Sequence, residues 1–129
     1  SGMPGVETSL AVMLTHAKNG MCSVEDVVRW MSSNVADCFN MVGKGRLEEG
    51  ADGDVVLVDM HNARTVVDEH TWTRVGWSPF DGKELVGWAQ VTIVGGVPVF
   101  ERNAQTGPKG TILVEPGTVG EALVMAPWR

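Results

Sequence analysis

The sequence lacks several features that mark whole classes of protein. Its two cysteines, Cys22 and Cys38, are too few for a disulfide framework, which predicts a reducing, cytoplasmic environment. It has no block of basic residues, and 16 acidic against 10 basic residues give a net charge of −6, so binding to nucleic acid is not expected. No apolar run approaches the roughly 20 residues that cross a bilayer, and the first ten residues do not resemble a signal peptide, so no membrane association is expected.

Recognisable catalytic patterns are absent as well. The histidines, His16, His61 and His70, form neither an HxH nor an HExxH pair, and the cysteines form no CxxC. Both thiols are therefore expected to be buried, and no catalytic or metal-ligating residue is predicted within the chain. With 129 residues the chain is also too short for a complete (β/α)8 barrel, which needs at least about 200.

The first third has the periodicity of helices. Apolar residues at steps of three and four predict a helix over residues 6–17. Ser23, followed three residues later by Asp26, resembles a capping box and predicts the start of a second helix. Asn34 is expected to cap a third short helix that ends at residues 43–45.

The remaining chain has the pattern of strands. Residues 54–59 (DVVLVD) predict a buried strand, and residues 64–68 are its expected antiparallel partner. Residues 89–94 and 97–101 predict a hairpin around Gly95 and Gly96, and residues 111–114 predict one more extended segment. Helices followed by strands indicate an α+β fold.

Four segments together resemble the C-terminal part of a dihydroorotase, a cyclic amidohydrolase. Residues 2–8 (GMPGVET) resemble the G-x-P-G-x-E-T loop after the last barrel strand, and residues 44–59 (KGRLEEGADGDVVLVD) resemble the amidohydrolase signature KGxLxxGxDADLVVxD. Residues 76–82 (GWSPFDG) are similar to a W-[ST]-P-F-x-G element, and residues 92–99 (TIVGGVPV) to a closing T-I-V-x-G-x-x-V hairpin. In this sequence glycine replaces the alanine of the DAD element at position 53, a change expected to loosen a turn.

The resemblance implies a division of the chain. Residues 1–43 would be the last barrel loop and the C-terminal helices of a (β/α)8 barrel, residues 44–103 part of a β-sandwich, and residues 104–129 an irregular tail. Since the sandwich of the family also takes strands from the N-terminus of the polypeptide, a homo-oligomer is expected for this chain alone. The chain is thus interpreted as a truncated dihydroorotase with Ser1 as a cloning remnant.

The resemblance also implies an activity for the parent enzyme. Dihydroorotases interconvert carbamoyl aspartate and dihydroorotate in pyrimidine biosynthesis, with zinc held by barrel residues that this sequence does not contain. Pro4 and Gly5 match the loop whose backbone the family uses against the substrate ring, so they are the predicted substrate-binding residues. Read without the resemblance, the same two residues are a plain turn before a helix.

Two alternatives stay open. The chain could belong to an allantoinase or hydantoinase, which act on other cyclic amides. It could also belong to a non-catalytic dihydroorotase-like subunit that assembles with aspartate transcarbamoylase. In every case the isolated chain is expected to be inactive.

Overall fold

A computed structural model describes residues 2–115 and 117–120. Helices occupy the first third: α1 (Val6–Lys18), α2 (Val24–Val28), a π-helical turn (Arg29–Ser33) and α3 (Asn34–Cys38). The strands follow as β1 (Val55–Asp59), β2 (Arg64–Thr65), β3 (Glu84–Leu85), β4 (Trp88–Val94), β5 (Val97–Glu101) and β6 (Thr111–Ile112), with a 3₁₀ helix at Asp68–His70. The predicted α+β order is confirmed, and no helix in the described ranges is long and apolar enough to span a membrane.

The helical segment follows local signals for the most part. Ser23 Oγ accepts a hydrogen bond from Asp26 N–H at 3.0 Å, and the Asp26 carboxylate accepts one from Ser23 N–H, which completes the predicted capping box. The prediction of a separate third helix capped by Asn34 is wrong. Asn34 has helical backbone angles (φ −65°, ψ −34°), because the π-helical turn joins α2 to α3 without an interruption. The helix ends at Cys38, well before residues 43–45.

The strands form two antiparallel sheets. The larger has the order β1-β4-β5-β6, and the smaller pairs β2 with β3. The predicted hairpin of β4 and β5 around Gly95 and Gly96 is confirmed. The expected pairing of residues 54–59 with residues 64–68 is wrong, because β1 pairs with β4 and β2 pairs with β3.

The signature segment joins the start of β1 to the β4–β5 hairpin. Asp54 Oδ1 accepts a hydrogen bond from Gly95 N–H at 2.8 Å, and Gly53 O accepts one from Gly96 N–H at 2.9 Å. A Cβ at residue 53 would lie 2.9 Å from Gly96 N, closer than side chains normally approach backbone. The glycine at position 53 therefore allows a tight contact with the hairpin, contrary to the looser turn expected from the sequence.

The core lies between α1 and the two sheets. Ala11 of α1 packs with Val66, Leu85 and Trp88, and all four side chains are buried. The core is small, and many large apolar side chains remain exposed in the described residues. Leu57 in β1 is 51% exposed, so the prediction of a buried strand at residues 54–59 is wrong. Val56 and Leu57 are neighbours in β1 and so point to opposite faces of the larger sheet, and both are exposed.

Candidate functional site

The loop that contains Pro4 and Gly5 leads directly into α1. Gly5 is the N-cap residue, and its carbonyl accepts hydrogen bonds from Ser9 N–H at 2.9 Å and from Thr8 N–H at 3.2 Å. Its φ is −133°, which other residues also adopt, and a Cβ there would meet no atom within 4 Å. The local fold therefore gives no reason for a glycine at position 5.

The loop with the tryptophan motif is held beside this helix start. Trp72 N–H donates a hydrogen bond to Glu7 Oε2 at 2.9 Å, and Ser78 N–H donates one to Asp68 Oδ1 at 2.8 Å. Ser78 is itself buried. Through Glu7, the segment resembling G-x-P-G-x-E-T is joined to the loop that carries the W-S-P-F element.

An open cleft of about 810 Å³ lies between these two loops and one face of the larger sheet. Pro4 and Gly5 line one end of it, and Trp72 and Trp77 line a side. The sheet contributes Val56, Thr92 and Phe100, which are paired across β1, β4 and β5 and therefore share a face. The cleft is mostly apolar, and its size is typical of pockets that bind organic ligands.

Arg102 lies in this cleft and is only 6% exposed. Its guanidinium carbon lies 5.3 Å from the centre of the Trp88 ring and 5.0 Å from that of Phe100, a cation–π arrangement with both rings. Nη1 donates a hydrogen bond to Ala89 O at 3.0 Å, whereas the buried Nε has no partner in the described structure. Burial lowers the pKa of Arg102, and the positive charge of Arg64 lowers this pKa further, while Glu7 opposes the change. The guanidinium remains charged, since an arginine does not lose its proton in proteins.

The sequence prediction missed Arg102. A signal was present, because Phe100 and Arg102 are two residues apart in an extended segment and so point to the same side. Arg102 N–H also donates to Gln90 O at 2.7 Å, which continues the pairing beyond the end of β5. The available clue was thus a charged residue, Arg102, on the same side of an extended segment as the apolar Phe100.

The described residues do not fit a zinc site. They contain no group of three or more His, Cys, Asp or Glu side chains that could hold a metal ion. Cys22 is half-buried and Cys38 is exposed, so the prediction of two buried thiols is wrong for Cys38, which lies on the outer side of α3. The structure thus brings Pro4 and Gly5 to the cleft but assembles no metal-binding cluster in the residues it describes.

Known proteins match most of this chain in sequence. A sequence model of the amidohydrolase family matches residues 4–99. A dihydroorotase of Pyrococcus horikoshii is 36% identical over 118 residues, which are 91% of this chain and 28% of that protein. A dihydroorotase of Halobacterium salinarum is 38% identical over 101 residues, 78% of this chain and 24% of its own length.

A solved structure is similar in fold. The L-hydantoinase (dihydropyrimidinase) from Arthrobacter aurescens matches with a TM-score of 0.79 and 35% identity, over 89% of this chain and 24% of that chain. The chain thus spans about a quarter of the length of these relatives. With the family pattern covering residues 4–99, the chain belongs to the amidohydrolase family.

Proposed function

We propose that this chain is the C-terminal part of a dihydroorotase, the enzyme that interconverts carbamoyl aspartate and dihydroorotate. The observation that carries the proposal is the 36% identity to an archaeal dihydroorotase over 91% of the chain. The contacts between the four motif segments support it. Residues 2–8 and 76–82 line the same cleft, and residues 44–59 pair with the hairpin that contains residues 92–99.

Pro4 and Gly5 are the proposed contact with substrate in the whole enzyme. Gly5 lines the cleft, and the space that a side chain at this residue would occupy is empty, so a ligand could approach its backbone closely. A backbone of this kind approaches a flat ring closely, and its polar groups can orient the edge of a cyclic amide.

The catalytic metal would come with the rest of the polypeptide. Because the described residues contain no cluster of donors, we propose that the zinc ligands and the proton-transferring aspartate lie outside them. The 129-residue chain alone then performs no hydrolysis. We further propose a cytoplasmic location for the parent enzyme, consistent with the two free cysteines.

A hydantoinase is the second candidate, favoured by the TM-score of 0.79 and 35% identity to the Arthrobacter enzyme. The deciding experiment is to express the parent reading frame and to assay the purified protein with dihydroorotate, hydantoin and allantoin. We expect dihydroorotate to be preferred by at least about tenfold in kcat/KM. A preference for hydantoin or allantoin would contradict the dihydroorotase assignment. Absence of all three activities, with stable binding to aspartate transcarbamoylase, would indicate a non-catalytic assembly subunit instead.

The same assay on the 129-residue chain tests its proposed inactivity. Turnover of dihydroorotate that is lost on chelation of zinc would contradict the proposal that the metal ligands lie elsewhere.

A further inference from the structure

The Arg102 guanidinium is a buried charge that the described residues leave without a counter-ion. It is 6% exposed, it takes part in none of the ion pairs of the described chain, and its Nε has no hydrogen-bond partner. A buried charge without a partner is strongly unfavourable. The two aromatic rings that flank the guanidinium offset this cost only in part, because cation–π contacts are weaker than a charge-assisted hydrogen bond.

The surroundings of Arg102 favour an anion. Arg64, whose positive charge lowers the pKa of Arg102, lines a smaller cavity together with Arg102, and Lys109 Nζ lies 4.8 Å from the ring centre of Trp72, a residue of the cleft wall. Glu7, whose negative charge opposes this lowering, is held in a hydrogen bond with Trp72 N–H. The cleft and the small cavity beside it are thus lined by two arginines, Arg64 and Arg102, and by one carboxylate, Glu7, although the chain as a whole carries a net charge of −6.

The anion must enter through the large cleft. A second cavity shared by Arg64 and Arg102 has a volume of only about 30 Å³, enough for about one water molecule. The large cleft of about 810 Å³ has apolar walls formed by the sheet and by tryptophan rings. An occupant that matches both features presents an anionic group on an otherwise apolar body.

We propose that Arg102 binds the carboxylate of an Asp or Glu side chain, carried by an apolar segment of the longer polypeptide that packs against the sheet wall of the cleft and leaves the Pro4–Gly5 loop free for substrate. This inference rests on the proposed function, in which the chain works as part of a polypeptide of its relatives' length, of which it spans 28%. The guanidinium fork suits the planar carboxylate, and a polypeptide segment supplies the apolar side chains that the walls require.

Two capped tripeptides test the proposal on the 129-residue chain. N-acetyl-Val-Glu-Val-amide presents a carboxylate between apolar side chains, and N-acetyl-Val-Gln-Val-amide has the same shape without the charge. Binding is followed by NMR through the Arg102 Nε–H and the Trp88 indole N–H, which report on the site directly. We expect the Glu peptide to bind about 10- to 100-fold more tightly than the Gln peptide, as a charge-assisted hydrogen bond predicts.

Variants assign this preference to Arg102. Arg102→Met should reduce the ratio of the two affinities to about one, whereas Arg74→Met, at an exposed arginine, should leave it unchanged. If Arg102→Met does not fold, the ratio of the two peptide affinities on the unsubstituted chain still tests the carboxylate requirement. Arg102→Lys should then lower this ratio, because lysine lacks the planar fork of the guanidinium.

Four results would overturn the proposal. Equal affinities for the two peptides would show that binding does not require a carboxylate. No binding of either peptide would show that the cleft does not accept such a segment. Binding of acetate as tight as that of the Glu peptide would indicate a site for small anions rather than for a chain segment. Shifts of the Arg102 Nε–H and Trp88 indole N–H that depend on protein concentration without peptide, and that persist in Leu57→Lys, would show that a second copy fills the cleft. None of these experiments measures enzyme activity. Their results therefore do not bear on the dihydroorotase assignment, which the assay of the parent enzyme tests separately.

Discussion

Gly5 and Gly87 both border the cleft, and the fold requires only the second. Gly87 has φ +73°, and a Cβ there would lie 2.5 Å from Leu14 side-chain atoms in the core. Gly5 has an ordinary φ and open space where its Cβ would be. A glycine that the fold does not need is a candidate for direct contact with a ligand.

Alanine substitutions separate the two roles. We expect Gly5→Ala to change the free energy of unfolding by no more than about 0.5 kcal/mol, as for an exposed site. Gly87→Ala should cost at least about 3 kcal/mol through backbone strain and overpacking. Both values come from urea unfolding of the chain. In the parent enzyme Gly5→Ala should raise the KM for dihydroorotate, and an unchanged KM would argue against substrate contact at residue 5.

Thr15 links α1 to the strand region through one hydroxyl. Its Oγ1 accepts a hydrogen bond from Val86 N–H at 3.0 Å and donates one to Ala11 O at 2.7 Å. Thr15→Val removes the acceptor and leaves the N–H of the buried Val86 unsatisfied, so we expect a loss of about 1–3 kcal/mol of stability. Thr15→Ser is the matched control and should retain most of the stability in the same urea titration. Equal losses in the two variants would mean that packing of the threonine methyl matters more than the hydrogen bond.

Among the elements, the junction of β1 with the β4–β5 hairpin depends on one carboxylate. Asp54 accepts hydrogen bonds from the Lys44 ammonium and from Gly95 N–H. The Lys44 contact is the largest cause that lowers the pKa of Asp54 below its usual 3.8, and the Gly95 hydrogen bond is the second. A lowered pKa in the folded state means that the unfolded chain takes up the proton first as the pH falls. The stabilisation is therefore present above the usual Asp pKa and is lost as the pH falls through the lower folded-state value.

Acid unfolding of Asp54→Asn tests this contribution. The parent chain should lose stability as the pH falls below about 4, and the variant should show a shallower loss. Some acid dependence will remain, since backbone hydrogen bonds also lower the pKa of Asp26 and of Asp59. Asp52→Asn is the control, because Asp52 Oδ2 lies 2.8 Å from Lys44 Nζ but the hairpin N–H is bound by Asp54. An identical pH profile for the parent and Asp54→Asn would contradict the assigned role.

Local elements were predictable from the sequence, whereas partners distant in the chain were not. The helix at Val6–Lys18 and the Ser23–Asp26 capping box depend on neighbours a few residues apart. The residues of β4 that pair with β1 lie between 29 and 38 positions further on (Asp59 with Trp88, Val55 with Ile93), and strand periodicity carries no information about which strand β1 joins. For the same reason Pro4 and Gly5 could be proposed from a local motif. For Arg102 the sequence offers only its spacing from Phe100, because the contact with Trp88 depends on the pairing of the strands.

For the whole molecule, the main feature is the amount of apolar surface that stays exposed. Val56, Leu57 and Val58 are all exposed in β1, which is an edge strand of the described sheet. An exposed apolar edge strand readily pairs with another chain. In the parent enzyme we propose that other parts of the polypeptide cover this surface.

Self-association of the isolated chain follows from that exposure. We expect dimers or larger assemblies at micromolar concentration in sedimentation velocity. Leu57→Lys should shift the population towards monomer, because a lysine on an edge strand opposes pairing. Val75→Lys, at an exposed apolar residue in a loop, is the matched control and should have little effect. A clean monomer for the unsubstituted chain would contradict both the expected homo-oligomer and the role of β1.

The π-helical turn at Arg29–Ser33 has a consequence for how the helix tolerates changes in length. Val27 and Ala36 are buried at 1% and 4% exposure, yet their spacing of nine residues is about two and a half turns of an α-helix, which would put them on opposite sides. The π-helical turn contains about one residue more than an α-helical turn, and this extra residue brings the side chains of Val27 and Ala36 to the same side of the helix. A sequence shorter by one residue within this turn can therefore keep both side chains in the core as a plain α-helix. A sequence longer by one residue there would need a second wide turn to do the same.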